Sequence, residues 1–297
     1  MKKMTKFFAL ALLAGAMVSC STEDTAPSVQ NDKVAVQFTG GISVNTRAAG
    51  LAWAEGDMIG IFMTGTKQPL SADAIQEGVD NICYQTSGSI GFSPVSGGKT
   101  IFFPIDGDVD FYSYYPQTTV NDYKVALDVT DQGKQEAIDF MYAKTEGCNK
   151  ATPQVFLKFY HKLSNLVLDV QPGNGLTQED LKKMTVTVKG QNTKATFNLA
   201  DGTISGEGNP TDIKMKTTQA GKLYEAILLP TEEASRVIEF DLNNGYDAPF
   251  VWTMPAKLEG GKRYHYTVVK LSRSAVDISG NIEPWIKAGD DNEHIAQ

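Results

Sequence analysis

The sequence predicts an all-β protein, and three observations carry that expectation. Apolar residues recur at every second position in short runs. The plainest run is Val34, Val36, Phe38, Gly40, Ile42 and Val44, the mark of a strand with one buried face. Turn-forming clusters separate the runs: Ser96-Gly97-Gly98, Asp106-Gly107-Asp108, Gly173-Asn174-Gly175, Asn243-Asn244-Gly245 and Gly260-Gly261. Long uninterrupted helical patterns are hard to find. Many short strands with turn signals between them fit sandwiches or barrels, and 297 residues suit two domains, each with its own core.

The chain opens on a targeting segment, residues 1–20. Lys2, Lys3 and Lys6 supply its positive region, and Phe7–Val18 is an apolar run too short to span a bilayer. It ends at Ser19-Cys20 and resembles a bacterial lipoprotein signal, in which Cys20 is lipidated and becomes the new N-terminus. An ordinary secretory signal is the alternative. Ser-Thr-Glu-Asp follows Cys20, resembling surface-export signals, and a polar tether runs on to Asp32. With the first strand it makes up residues 21–47.

Further strands are expected at Met58–Met63, Thr100–Phe103, Val109–Tyr115, Tyr123–Val129, Val155–Val170, Met184–Lys189, Ala195–Leu199, Tyr224–Leu229, Val237–Leu242, Phe250–Met254 and Tyr264–Leu271. Two helical pieces are expected, Ala72–Gly78 and Thr177–Lys183, the second with Thr177 as N-cap and Asp180 at the third helical position. The polar segment Thr145–Thr152 marks the expected changeover between an N-terminal domain, 48–150, and a C-terminal domain, 151–297.

Chemistry-bearing patterns are scarce. The formal net charge is −8 with no basic stripe, which argues against nucleic acid as a partner. His161, His265 and His294 form no metal-binding spacing, and His161 reads as a hydrogen-bonded residue at a core edge. Asp106, Asp108 and Asp110 begin like a calcium loop, but Phe111 stands where glycine is required, so a solvated turn is expected. Cys83 and Cys148 form either a disulfide or two free thiols. No catalytic constellation assembles, and neither metal nor cofactor is expected.

One repetition stands out. AVQFTGGIS at Ala35–Ser43 and AVDISGNIE at Ala275–Glu283 share Ala, Val, Gly and Ile in the same places. The first presents Val36, Phe38, Gly40 and Ile42 on one face, and the second Val276, Ile278, Gly280 and Ile282. The two strands fit one groove, unless they are neighbours within a monomer or unrelated.

Several motifs in order resemble the fimbrillins, the type V pilins of anaerobic gut and oral bacteria, with their minor and tip subunits. They are TRA at Thr46–Ala48, W-x-x-G-D-x-I-G-x-F at Trp53–Phe62, FFP at Phe102–Pro104, VDFYSYYP at Val109–Pro116 and DFMYA at Asp139–Ala143. Phe159-x-His161-x-Leu163-Ser164, LLP at Leu228–Pro230, G-x-x-Y-x-Y at Gly261–Tyr266 and ISGNIEPW at Ile278–Trp285 complete the series. The resemblance implies two tandem transthyretin-like β-sandwiches, export as an outer-membrane lipoprotein, and a place in a surface fimbria. It also implies that an Arg-specific protease cuts between Arg47 and Ala48 and removes the first strand. A donor strand within 275–286 of another subunit then fills the groove, giving a homo- or hetero-polymer. Trp53 and Phe62 read as core anchors, Gly56-Asp57 as a turn, and the aromatics of Phe111–Tyr115 as packing rather than sugar-binding. The rival expectation is a permanently anchored surface lipoprotein that binds a glycan or a host protein.

Overall fold

Eight strands make up the described first half, and seven of them close on themselves. The computed structural model describes residues 33–42, 53–273 and 275–284. Cys20, the tether to Asp32, Arg47, Ala48 and Trp285 lie outside the described residues. The strands are β1 (Gln37–Ile42), β2 (Glu55–Gly65), β3 (Ile82–Ser87), β4 (Gly91–Pro94), β5 (Val109–Tyr115), β6 (Lys124–Asp128), β7 (Met141–Cys148) and β8 (Gln154–His161). All but β6 form a closed barrel in the order β1-β4-β3-β2-β5-β7-β8. The first strand closes it, antiparallel to β4 and parallel to β8.

Period-two patterning decides which side chains fill the barrel. On β8, Val155, Leu157, Phe159 and His161 are buried, while Phe156, Lys158 and Tyr160 face out. Two walls result. On β2, β5 and β7 the inward residues Ile61, Phe111 and Met141 fill the barrel. Their outward neighbours Phe62, Tyr112, Tyr114 and Tyr142 are buried too, in a second core shared with the C-terminal sheets. Among the described residues the opposite wall has no such cover, and Gln37, Ser93, Phe156 and Lys158 lie exposed along β1, β4 and β8.

The second half contributes β9 (Ser164–Pro172), β10 (Thr185–Asn198), β11 (Thr203–Lys214), β12 (Lys216–Gln219), β13 (Leu223–Leu228), β14 (Arg236–Asp241), β15 (Phe250–Met254), β16 (Lys262–Ser272) and β17 (Ala275–Pro284). They form two five-stranded sheets, β11-β10-β14-β15 with β6 also on β10, and β12-β13-β9-β16-β17. Val186, Phe197 and Phe240 of one sheet and Leu166, Leu168 and Tyr224 of the other share one core.

The all-β expectation holds, and its details shift in several places. Residues 155–170 do not form one strand: the chain leaves the barrel after β8, Leu163 is fully buried at the crossing, and β9 begins the next sheet. The barrel therefore takes a strand from beyond the expected changeover at Thr145–Thr152, which spans the end of β7 and the start of its connection to β8. β6 pairs with β10 across the same expected boundary. The segments Met184–Lys189 and Ala195–Leu199 are one strand, β10. Its register against β11 shifts between Val188 and Gln191, so the buried set passes from Val186 and Val188 to Gln191, Thr193, Ala195 and Phe197. Thr100–Phe103 is not a strand but bonds to the run before β1, Val36 N–H donating to Ile101 O at 3.0 Å. The expected first helix is a short 3-10 turn, Ala72–Ala74. The second is α1 (Gln178–Leu181), with the Thr177–Asp180 capping box in place.

Candidate assembly interface

β1 is a single strand set into the uncovered wall of the barrel. Val36 and Phe38 are buried, Phe38 to 2% exposure, and Gly40 is buried beside the half-buried Ile42. The Phe38 ring meets Tyr84 and Phe111 edge-on at 5.3 and 5.1 Å. Its backbone runs alongside β8 from Gln37 opposite Gln154 to Ile42 opposite Phe159, and Gly40 N–H donates to Ile90 O at 2.7 Å. Trp53, the first described residue after the segment that contains Arg47, donates its indole N–H to Gly40 O at 2.8 Å. The indole is itself held edge-on by Phe92, Tyr115 and Phe159 at 5.1, 5.4 and 5.2 Å. Buried hydrogen bonds of this kind are costly to leave unmade.

The slot at Gly40 has no room for a side chain. A Cβ there would stand 2.8 Å from Phe92 Cε2 and 3.3 Å from Phe159 Cε2. The sequence pattern marked the glycine but not the rings, which come from β4 and β8, far along the chain.

β17, the matching strand, sits at the edge of its own sheet, antiparallel to β16 with Val276 opposite Leu271, Ile278 opposite Val269 and Ile282 opposite Tyr264. Val276 is partly buried against the C-terminal core. Ile282 is 58% exposed and so departs from the buried face its pattern predicts; among the described residues its strand pairs with one neighbour, β16. Gly280 also sits where a Cβ has no room, 2.5 Å from Tyr266 Cα and 2.6 Å from His265 O. It lies opposite a register shift in β16 between His265 and Val268.

The remaining sequence candidates have structural roles. Phe111, Tyr112, Tyr114 and Tyr115 of β5 are all buried. Gly56-Asp57, expected as a turn, lies within β2 at a register shift between Glu55 and Met58, where Asp57 accepts from Ala54 N at 2.7 Å and Tyr115 Oη at 3.1 Å. Asp110 is fully buried and accepts from Thr66 Oγ1, Lys67 N and Gly147 N at 2.9, 2.8 and 2.9 Å, tying three segments of the barrel together. His161 is buried with Nδ1 2.7 Å from Asp139 Oδ1. Cys83 and Cys148 are free thiols. Burial, aided by the charges of Asp110 and Asp108, pushes Cys148 up to about 11. Among the described residues no cluster of His, Cys, Asp or Glu could hold a metal ion.

A barrel closed by its first strand and a pair of sheets edged by β17 define an all-β protein. The chain belongs to the fimbrillin-like family, which matches residues 46–285. It is 33% identical over 293 residues to a Bacteroides uniformis protein named "Putative fimbrium subunit Fim1C", covering 93% of each chain. The crystal structure of a "putative cell adhesion protein" of Bacteroides uniformis is similar at 31% identity and a TM-score of 0.73, over 86% of this chain and 99% of that one. A Bacteroides ovatus structure shares the fold at 24% identity and a TM-score of 0.69, over 86% and 99% of the two chains. The family is one of fimbrial and adhesion proteins, not enzymes.

Proposed function

We propose that the chain is a structural pilin subunit, stalk or tip, of a cell-surface fimbria. It is exported as an outer-membrane lipoprotein through Cys20, cut between Arg47 and Ala48, and polymerised by donor-strand exchange. The observation that carries this reading is the seat of β1. One strand closes the barrel from its solvent side and joins the rest of the chain only through residues 43–52, which contain Arg47. A cut there separates β1, with everything before it, from the barrel it completes. The gap runs between β4 and β8, lined by Tyr84, Phe92, Phe111 and Phe159.

A strand from another copy fills such a gap by bonding to both neighbours and inserting alternate side chains. Val276, Ile278, Gly280 and Ile282 of β17 repeat the inward series of β1. Because donor and acceptor surfaces differ, each subunit keeps one of each free and the assembly grows as an open filament. The partners are other pilin subunits, an Arg-specific protease and, before processing, the outer membrane through the lipid. A host or bacterial surface ligand is a further candidate.

The test is to treat the full chain with an Arg-specific protease, locate the cut by mass spectrometry and look for polymers by electron microscopy. Cleavage after Arg47 followed by polymers, or by binding to a partner subunit, is the expected result; Arg47→Ala keeps the chain monomeric with β1 in place. Clean cleavage at Arg47 without assembly or partner binding favours the permanently anchored lipoprotein instead, for which Arg47→Ala changes nothing.

A further inference from the structure

We infer that the groove under β1 contains a glycine gate, formed by Phe92, Phe159 and Trp53, which sets the register and direction of any strand it accepts. The inference deepens the strand replacement proposed above and rests on it for which strand arrives. The gate itself is a property of the barrel.

Two constraints meet at Gly40. Its inward side is closed, since a Cβ would stand 2.8 Å from Phe92 Cε2 and 3.3 Å from Phe159 Cε2. Both rings are buried, and the Trp53 indole packs against each of them, at 5.1 and 5.2 Å. Close-packed rings of this kind yield little to an added methyl group. The carbonyl of the same residue is taken by Trp53 Nε1 at 2.8 Å. A strand is therefore pinned at one position by what it lacks, a side chain, and by what it offers, a carbonyl oxygen.

Gly41 provides the contrast. A Cβ there meets Phe156 Cζ at 2.8 Å, but Phe156 is 53% exposed on the outer wall, and its ring end is free to swing. The outward position tolerates a side chain; the inward one does not.

Direction follows from where the gate lies. Of the four inward positions, Val36, Phe38, Gly40 and Ile42, glycine is the third, so the series is asymmetric. A strand of the form apolar-x-apolar-x-Gly-x-apolar fits when it runs parallel to β8, as β1 does. Turned round, it brings a bulky side chain to the gate. β17 satisfies the series in the forward direction only, with Gly280 at the gate and Asn281 at the outward Gly41 position.

The experiment uses full-length chains and thermal unfolding, with no cleavage or polymerisation, so its outcome is separate from that of the Arg47 experiment. Gln37→Asp, Phe38→Ile, Thr39→Ser, Gly41→Asn and Ser43→Glu together write the β17 sequence in place of β1. This forward graft should fold cooperatively, whereas a graft of the same residues in reverse order should not. Gly40→Ala should lower the melting temperature by on the order of 5 °C and Gly41→Ala by less than about 2 °C. Phe92→Leu, which withdraws the nearer ring, should recover at least half of the Gly40→Ala loss. A forward graft that fails to fold, a reverse graft as stable as the forward one, or a Gly40→Ala loss no larger than that of Gly41→Ala would each overturn the inference.

Discussion

β1 and β17 carry nearly the same inward series and occupy different kinds of seat. β1 lies between two strands and closes a barrel, with Phe38 buried between aromatic rings and Gly40 O held by Trp53. Among the described residues β17 pairs with one strand, β16, and Ile282 is largely in solvent. Even the shared glycine has two causes: at Gly40 aromatic rings exclude a side chain, and at Gly280 the backbone of Tyr266 does. A sequence pattern thus specifies which residues face inward, while the number of neighbouring strands decides how firmly they are held. A strand with one neighbour gains hydrogen bonds and burial if it moves to a site with two, which is the direction of the exchange proposed above.

The largest test of that difference is Phe38→Ala. Emptying a ring-lined site in a packed core costs about 3–5 kcal/mol, so denaturant unfolding of the uncut chain should show a loss in that range. If the loss falls near zero, β1 is not seated as tightly as its burial implies. The contrast with β17 then disappears.

Next in size is Trp53→Phe, which keeps most of the aromatic packing and removes the N–H that meets Gly40 O. A buried carbonyl left without its partner costs about 1–3 kcal/mol. Hydrogen exchange should show the loss concentrated in β1 and its neighbours β4 and β8, with β17 unaffected. Equal acceleration in β1 and β17 would mean that the indole supports the fold in general rather than this strand.

How much of this the sequence discloses depends on the range of the signal. Alternation along β8 and the Thr177–Asp180 capping box are local, and both read directly. The phase change in β10 is local too, but it is hidden because a bulge makes one strand resemble two. β11 is harder still: Thr203–Lys214 contains Gly206, Gly208 and Pro210, and most of its residues face solvent, so no alternating face appears. The gate is the extreme case. Gly40 is visible in the sequence, but Phe92 and Phe159 enter only because the barrel closes β1 between β4 and β8, a pairing that no window of sequence contains.

Ile282→Ala carries the smallest expected effect in the monomer and the most specific one in the assembly. With the side chain 58% exposed at a sheet edge, its removal should change monomer stability by no more than about 0.5 kcal/mol. In the exchange proposed above the same residue takes the Ile42 position of a neighbouring copy's groove, which is half-buried beside Gly40. There the lost methyl and methylene groups should weaken docking by about 0.8 kcal/mol for each carbon removed from contact. The variant should therefore unfold as the parent does and polymerise less readily after cleavage, as read from the fraction of cut chains in polymers. A monomer destabilised as strongly as the polymer would show that Ile282 contributes mainly within its own sheet, and the last inward position of β17 would drop out of the exchange.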